Sequence, residues 1–364
     1  MSLKSTKSNL NIDQNWSSSA PFNFFGPCSA ETQSQLGLTA EGISKNYNNY
    51  IFRAGIWKPR TRPNTFEGVG SIGLDWLIDI KKEFKIPVAT EVANAEHVEL
   101  CLKAGVDVLW LGARTTVSPF TVQEIAEALK GVDVQVFVKN PIHADLSLWI
   151  GAIERINKVG ITKLGAIHRG FHQFDSSPYR NAPKWEIAID LKSRFPNLPV
   201  VCDVSHISGT PELIQHVAQI SQDLDMDGLM IETHVDPTIA LSDAKQQLTP
   251  QGLFEVESNL VKRTSQSDNE NFTANLEKFR GQIDVLDTEI LSLLSRRMQM
   301  AQKIGQEKKE NKITIFQIER WNEISALCIN KGEELELGSN FIKAVYDAIH
   351  NESIRHQNII MNKD

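Results

Sequence analysis

Cysteine is scarce in this chain. Four thiols in 364 residues, Cys28, Cys101, Cys202 and Cys328, are too few and too scattered for a disulfide framework, and a reducing, cytoplasmic setting is expected. Long apolar runs are missing too: none approaches the ~20 residues needed to cross a bilayer. The opening MSLKSTKSNLNIDQNW has no apolar core of the kind a secretory signal carries. Nor is there an excess of positive charge. Lys and Arg number 38 against 45 Asp and Glu, a net −7. Neither nucleic acid nor an anionic membrane is therefore expected as a partner, and any anion must be held by a local cluster of cations. No Gly-x-Gly-x-x-Gly follows the first apolar run, and no proline occurs after Pro250. Apolar residues at 41% and charged residues at 23% exclude wholesale disorder.

What is present is a rhythm. Eight short β-rich runs, at 22–28, 50–55, 87–92, 107–112, 134–140, 163–170, 199–204 and 227–232, alternate with longer amphipathic stretches. Strand–helix alternation implies right-handed parallel βαβ units. Eight of them in ~250 residues predict a (β/α)8 barrel in preference to an open doubly wound sheet. The runs end in Cys28, Arg53, Glu91, Arg114, Lys139, His168 with Arg169, Asp203 and Glu232. In such a barrel the C-terminal strand ends converge on one mouth, so these side chains are expected to line an active site.

Two constellations stand out there. Cys28, His206, Glu232 and Asp243 come from the ends of runs 1, 7 and 8 and the loop after run 8, which are neighbours around a closed barrel. A thiolate, an imidazole and two carboxylates suit a divalent transition metal better than Mg²⁺ or Ca²⁺. Arg53, Lys58, Arg60, Arg62, Arg114, Lys139 and Arg169 form the second, a cationic set that implies more than one anionic group on the ligands.

Beyond a polar stretch at 258–273, read as a linker between a barrel at 1–257 and a helical domain at 274–364, the sequence reads as helix. Leu276, Phe279, Ile283, Leu286, Ile290 and Leu293 follow 3-4-3-4-3 spacing, the pattern of a core stripe. Arg297 continues the stripe and Lys308, three turns on, shares its face, so an anion is expected to meet them. Arg280 lies ~100° away around the helix, placed to serve another protomer. The helix is too long for the remaining tail to cover, which predicts an intertwined helical dimer.

The motifs Gly26-Pro27-Cys28-Ser29, Lys58-Pro59-Arg60-Thr61, Gly112-Ala113-Arg114, Lys139, His168-Arg169-Gly170, Asp203-Val204-Ser205-His206 and Asp227-Gly228-Leu229-Met230-Ile231-Glu232 occur in this order. Over about residues 20–255 the chain resembles the 3-deoxy-D-arabino-heptulosonate 7-phosphate (DAHP) synthases of the shorter type I beta class. The resemblance implies condensation of phosphoenolpyruvate with erythrose 4-phosphate. Arg114 and Arg169 would hold the phosphate of phosphoenolpyruvate, and Lys58 and Lys139 its carboxylate region. Arg60 and Thr61 would hold the phosphate of erythrose 4-phosphate, with Arg53 in support and Lys58 as proton donor. Cys28, His206, Glu232 and Asp243 would bind the metal, one of Mn, Co, Zn or Fe. Octulosonate 8-phosphate synthases share this chemistry but typically carry Lys-Ala-Asn-Arg at the Lys58-Pro59-Arg60-Thr61 stretch. His168 stands where many members carry Glu, and Val204 where many carry Pro. With about 20 residues ahead of the first run, no N-terminal regulatory domain of the kind some relatives have is expected.

The tail resembles the all-helical chorismate mutases, through Arg280 in FRGQIDVLD, Arg297 in LLSRRM, Lys308 in IGQEKK, Arg320 in IERW, and Ser353 with Gln357 in ESIRHQ. The implied site uses Arg297, with Arg280 of a partner chain, for the two carboxylates of chorismate, and Lys308 and Gln357 for the ether oxygen. Arg320 and Ser353 complete it. Gln317 stands where members usually carry Asp, and Trp321 where they carry the Glu that contacts the substrate hydroxyl. Three functional readings stay open. The chain is a bifunctional synthase and mutase; or its tail is a dimerising sensor of chorismate or prephenate that inhibits the barrel; or the barrel is an aldolase-like metalloenzyme that needs no phosphoenolpyruvate.

Overall fold

A computed structural model describes residues 9–58, 65–173, 177–263 and 267–362. The chain separates into two compact units, Met1–Ser265 and Gln266–Asp364. Arg60, Thr61 and Arg62 lie outside the described residues.

Among the described residues the first unit has eight strands: β1 Phe24–Gly26, β2 Ile51–Arg53, β3 Val88–Val92, β4 Val108–Leu111, β5 Gln135–Lys139, β6 Leu164–His168, β7 Val200–Asp203 and β8 Leu229–Glu232. All are parallel and pair in sequence order. β1 closes the barrel against β8, with Gly26 opposite Glu232. Helices wrap the outside because their apolar residues recur at helical spacing. The helix Leu146–Lys158 is representative: Trp149, Ala152, Ile153 and Ile156 are its buried residues. Asp145 caps its start, accepting from Leu148 N at 2.9 Å, and Trp149 Nε1 donates to Val138 O of β5 at 3.0 Å.

The interior of the barrel explains the site. Phe24, Ile51, Ala89, Val108, Trp110, Phe137, Ile167, Val201 and Met230 pack together inside it. Side chains alternate across a strand with period two. The residues two steps on, Arg53, Glu91, Lys139, Arg169, Asp203 and Glu232, therefore face the same interior one layer nearer the C-terminal mouth. A hydrophobic plug thus carries a charged floor above it. The opposite end is stoppered by Trp16, whose Nε1 donates to Gln135 Oε1 at 3.0 Å and whose ring lies 4.7 Å from Phe22.

The same alternation corrects one expectation. His168 does not join the mouth. It is fully buried, and its ring packs among Trp149, Phe171 and Trp185 on the outer face of β6. With Ile167 inside, its neighbour His168 must point outward, and Arg169 turns back in.

Among the described residues the second unit has three helices, Glu270–Glu310, Ile318–Glu334 and Ser339–Met361, referred to as the first, second and third tail helices. The first starts within the polar stretch at 258–273, because Asn269 caps it by accepting from Phe272 N at 3.0 Å. Forty-one residues make a rod of ~61 Å, against ~35 Å for the 23-residue third helix packed along it. Phe279, Ile283, Leu286, Ile290 and Leu293 of the first helix are each more than half exposed. No helix among the described residues is long and apolar enough to cross a membrane.

Candidate active sites

At the barrel mouth one ligand atom each from Cys28, Glu232 and Asp243 lies within 4.8 Å of the others. Cys28 Sγ is 3.5 Å from Asp243 Oδ2. His206 borders them, with Nδ1 3.9 Å from Glu232 Oε1 and Nε2 3.9 Å from Asp243 Oδ2. It sits on the short helix Val204–Ser208 whose N-cap is Asp203. The Asp203 carboxylate pairs with His206 Nδ1 at 3.0 Å, which directs Nε2 towards Asp243. Asp243 is held in the left-handed region at φ 46° and does not cap the helical turn that follows, so its carboxylate is turned to the site. Sulfur, imidazole nitrogen and two carboxylates crowded at this distance fit a divalent transition ion. They are costly to keep together without positive charge.

Positive charge surrounds them. Lys58 Nζ donates to Cys28 O at 2.5 Å and to Cys28 Sγ at 2.9 Å. Arg53 Nη2 pairs with Glu232 Oε1 at 3.2 Å, and Gln246 Nε2 donates to Glu232 Oε2 at 2.6 Å. Arg180 pairs with Asp243 Oδ1 at 3.2 Å and donates to Gln246 Oε1. Lys139 Nζ is 2.6 Å from Asp203 Oδ2, and both Lys139 and Arg53 lie over the Trp110 ring, at 5.7 and 5.1 Å. Two members of the cationic set are therefore already neutralised by buried carboxylates. Burial, with Glu232 beside it, pushes the Cys28 thiol up to about 12. Burial opposes the charge of Asp243 as well, but His206, Arg180 and Lys58 outweigh it and hold that carboxyl at about 2. Asp203 lies well below the usual range because His206 and Lys139 overcome its burial.

Arg169 is mostly buried at the mouth. Its Nη1 donates to Asn181 Oδ1 at 2.9 Å, and its backbone N to Asn140 Oδ1 at 2.7 Å. Burial lowers it to about 10, and Arg180 and Arg114 press the same way against the opposing Asp203. Guanidinium groups this close to one another mark a place for an anion. Arg114 follows β4 on the helix Ala113–Thr116, directly after Gly112. A Cβ at Gly112 would meet Glu91 Oε1 at 2.2 Å, and Glu91 in turn accepts from Trp110 Nε1 at 3.0 Å. Trp110, Asn140, Asn181, Arg180 and Gln246 escaped the sequence reading. The Asp203-x-x-His206 spacing was the visible trace of the orienting pair.

In the tail unit a cavity of about 650 Å³ is lined by Arg297, Lys308, Arg320, Ser353 and Gln357, along with Gln317, Trp321 and His350. Arg297 Nη1 donates to Ser353 Oγ at 2.6 Å, and Lys308 Nζ to Ile315 O at 2.5 Å. Burial lowers the Lys308 ammonium. Arg320 pairs with Glu323 at 2.9 Å. Gln357 Oε1 is buried with no protein partner. Arg280 is not among the lining residues; it is exposed and pairs with Glu277 at 2.7 Å. His350, which the sequence reading passed over, stacks on Trp321 with ring centroids 3.9 Å apart.

Comparison with known proteins gives two family matches. Residues 19–269 match the DAHP synthetase I family, and residues 279–358 match chorismate mutase type II. A phospho-2-dehydro-3-deoxyheptonate aldolase of Thermotoga maritima is 28% identical over 236 residues, 65% of this chain and 66% of that protein, so the chain spans just under two thirds of its length. A 2-dehydro-3-deoxyphosphooctonate aldolase of Desulfotalea psychrophila is 27% identical over 261 residues, 65% of this chain and 87% of that one. The crystal structure of the Thermotoga maritima DAHP synthase superposes with a TM-score of 0.58 at 25% identity, covering 65% of this chain and 67% of that one.

Proposed function

Because the chain belongs to the DAHP synthetase I family and carries a chorismate mutase type II domain behind it, we propose that it is a bifunctional cytoplasmic enzyme of aromatic biosynthesis. Its barrel, about residues 1–257, condenses phosphoenolpyruvate with erythrose 4-phosphate. Its helical domain, about 274–364, rearranges chorismate to prephenate, with 258–273 between them. The observation that carries the reading is the mouth itself, where Cys28, Glu232 and Asp243 converge beside His206 and are flanked by Lys58, Lys139 and Arg169.

Arg114 and Arg169 hold the phosphate of phosphoenolpyruvate, and Lys58 and Lys139 its carboxylate. Arg60 and Thr61 hold the phosphate of the aldose, and Arg53, paired to Glu232, supports the site. Cys28, His206, Glu232 and Asp243 hold a divalent transition metal, one of Mn, Co, Zn or Fe. When bound, the ion supplies Lewis acidity towards the aldehyde oxygen. Fixing both phosphates aligns C3 of phosphoenolpyruvate on the aldehyde carbon. A C–C bond forms, positive charge develops at C2, water adds there, and phosphate leaves by C–O cleavage. The cations stabilise the departing charge, and Lys58 delivers a proton at the new hydroxyl.

In the tail cavity Arg297, with Arg280 from a second copy, binds the two carboxylates of chorismate, and Arg320 and Ser353 position the ligand. Lys308 and Gln357 face the ether oxygen as the C–O bond breaks. The requirement for a second copy makes the enzyme at least a dimer. Retention of the cationic cavity favours catalysis over a purely sensing role for the tail.

The test is a paired assay on the full chain. Phosphoenolpyruvate loss should require erythrose 4-phosphate and not arabinose 5-phosphate, and chorismate should be converted to prephenate. Arg297→Ala should lower the second activity by at least ~100-fold and leave the first intact. Phosphoenolpyruvate consumed faster with arabinose 5-phosphate would reassign the barrel. No prephenate from the wild type, with chorismate inhibiting the barrel, would leave the tail a sensor.

A further inference from the structure

The tail cavity contains an imidazole that the proposed rearrangement does not use. It supplies a neutral hydrogen-bond acceptor. Chorismate presents two carboxylates, an ether oxygen and a ring hydroxyl. The first three only accept hydrogen bonds, and the cavity answers them with donors: Arg297, Lys308, Arg320 and the amide N–H of Gln357. The hydroxyl carries a proton to donate and needs an acceptor. Gln317 and Trp321 offer no carboxylate. Glu323 is tied to Arg320, and Glu319 lies exposed at the rim. Ser353 Oγ is engaged by Arg297 and bonds back to Ile349 O at 2.8 Å.

His350 remains. Its ring is pinned flat on Trp321, at 3.9 Å and 25°, with Phe316 edge-on at 5.9 Å. It lines the cavity, and its Nε2 is buried with no protein partner. A buried ring nitrogen without a partner is costly unless a ligand supplies one.

We propose that His350 Nε2 reads the ring hydroxyl of chorismate, and that the Trp321–His350 stack is the specificity element of this cavity. Burial and the neighbouring Arg297 and Lys308 disfavour the imidazolium, over the opposing Asp347, so the ring stays neutral and able to accept. A neutral acceptor also leaves the cavity positive for a dianion, which a carboxylate at this place would not. The assignment rests on the mutase reading of the tail.

The experiment compares chorismate with its analogue bearing hydrogen in place of the ring hydroxyl, on the full-length wild type, His350→Phe and His350→Asn. Phe keeps the stack on Trp321 and removes the nitrogen; Asn restores a polar group at shorter reach. The wild type should prefer chorismate over the analogue by about 10-fold in kcat/KM, the value of one neutral hydrogen bond. His350→Phe should raise the KM for chorismate about 10-fold with kcat changed less than ~3-fold, and should lose the preference. His350→Asn should recover part of it. A purely structural role would weaken both substrates alike and keep the preference. That result, or a wild type indifferent to the hydroxyl, overturns the assignment. A wild type that neither converts nor binds chorismate overturns the mutase reading beneath it, a separate and distinguishable failure.

Discussion

The ammonium of Lys58 sits 2.9 Å from the sulfur of Cys28 and 2.5 Å from that residue's own carbonyl oxygen. A thiol so held has two suitors, a cation already in the chain and an ion from solution. In the proposed enzyme, a metal held by Cys28 would leave the lysine to face substrate. Chelation with EDTA should therefore abolish synthase activity, and Mn²⁺ or Co²⁺ should restore it. Cys28→Ala should bind less metal on equilibrium dialysis and show no recovery. Full recovery with undiminished metal content would remove Cys28 from the ligand set.

At Gly112 the constraint is steric and not one of backbone freedom. Any Cβ there meets the Glu91 carboxylate, which Trp110 holds from below. Gly112→Ala should push Glu91 aside and shift the start of the helix bearing Arg114. We expect the KM for phosphoenolpyruvate to rise at least ~10-fold, since a small misplacement of a positioning group costs rate steeply. The mutase activity of the same preparation is the internal control. An unchanged KM would show that Glu91 yields without disturbing Arg114.

Much of this arrangement was legible in the sequence because parallel barrels put functional residues at strand ends. The eight runs and their order appear in the structure as a closed barrel. What the sequence could not resolve was phase. At β6 the last two residues, Ile167 and His168, point to opposite faces, and a polar residue at the end of a run says nothing about which face it takes. Long-range partners were equally hidden. Asn140, Asn181, Arg180 and Gln246 are unremarkable polar residues outside the strands, and only folding brings them to Arg169, Asp243 and Glu232. In the tail the cations stood out by their spacing on an apolar stripe. His350 did not, since a single histidine on a helix looks like ordinary core.

The outward His168 has a consequence of its own. Burial pushes its imidazole down to about 4, below the ~6.5 of an exposed histidine. Between those values the unfolded chain takes up a proton that the folded chain refuses, so stability is full above pH ~6.5 and is lost as pH falls. The limit is roughly 3 kcal/mol, reached near pH 4. Urea unfolding of the barrel at pH 7.5 and pH 5 should show wild type losing about 2 kcal/mol more than His168→Leu, in which no group titrates there. Equal losses would mean that His168 is protonated without cost.

The first tail helix carries an apolar stripe that its own chain leaves uncovered. Phe279, Ile283, Leu286, Ile290 and Leu293 are each more than half exposed along it. Leaving the exposed part of five such side chains in water forgoes on the order of 1 kcal/mol each. The same rod carries Arg280, outside the cavity of its own chain, and Arg297, inside it. A second copy laid along the stripe would cover it and deliver the missing arginine at once. Placing a charge in the middle should undo both effects. Ile290→Lys is expected to lower the mass measured by light scattering and to cut mutase turnover by more than ~10-fold, about 1.4 kcal/mol of transition-state binding. Ile290 is not among the residues that line the cavity. A variant with wild-type mass would place the dimer contact elsewhere, and wild-type turnover in a dissociated variant would show that each cavity works without the partner's arginine.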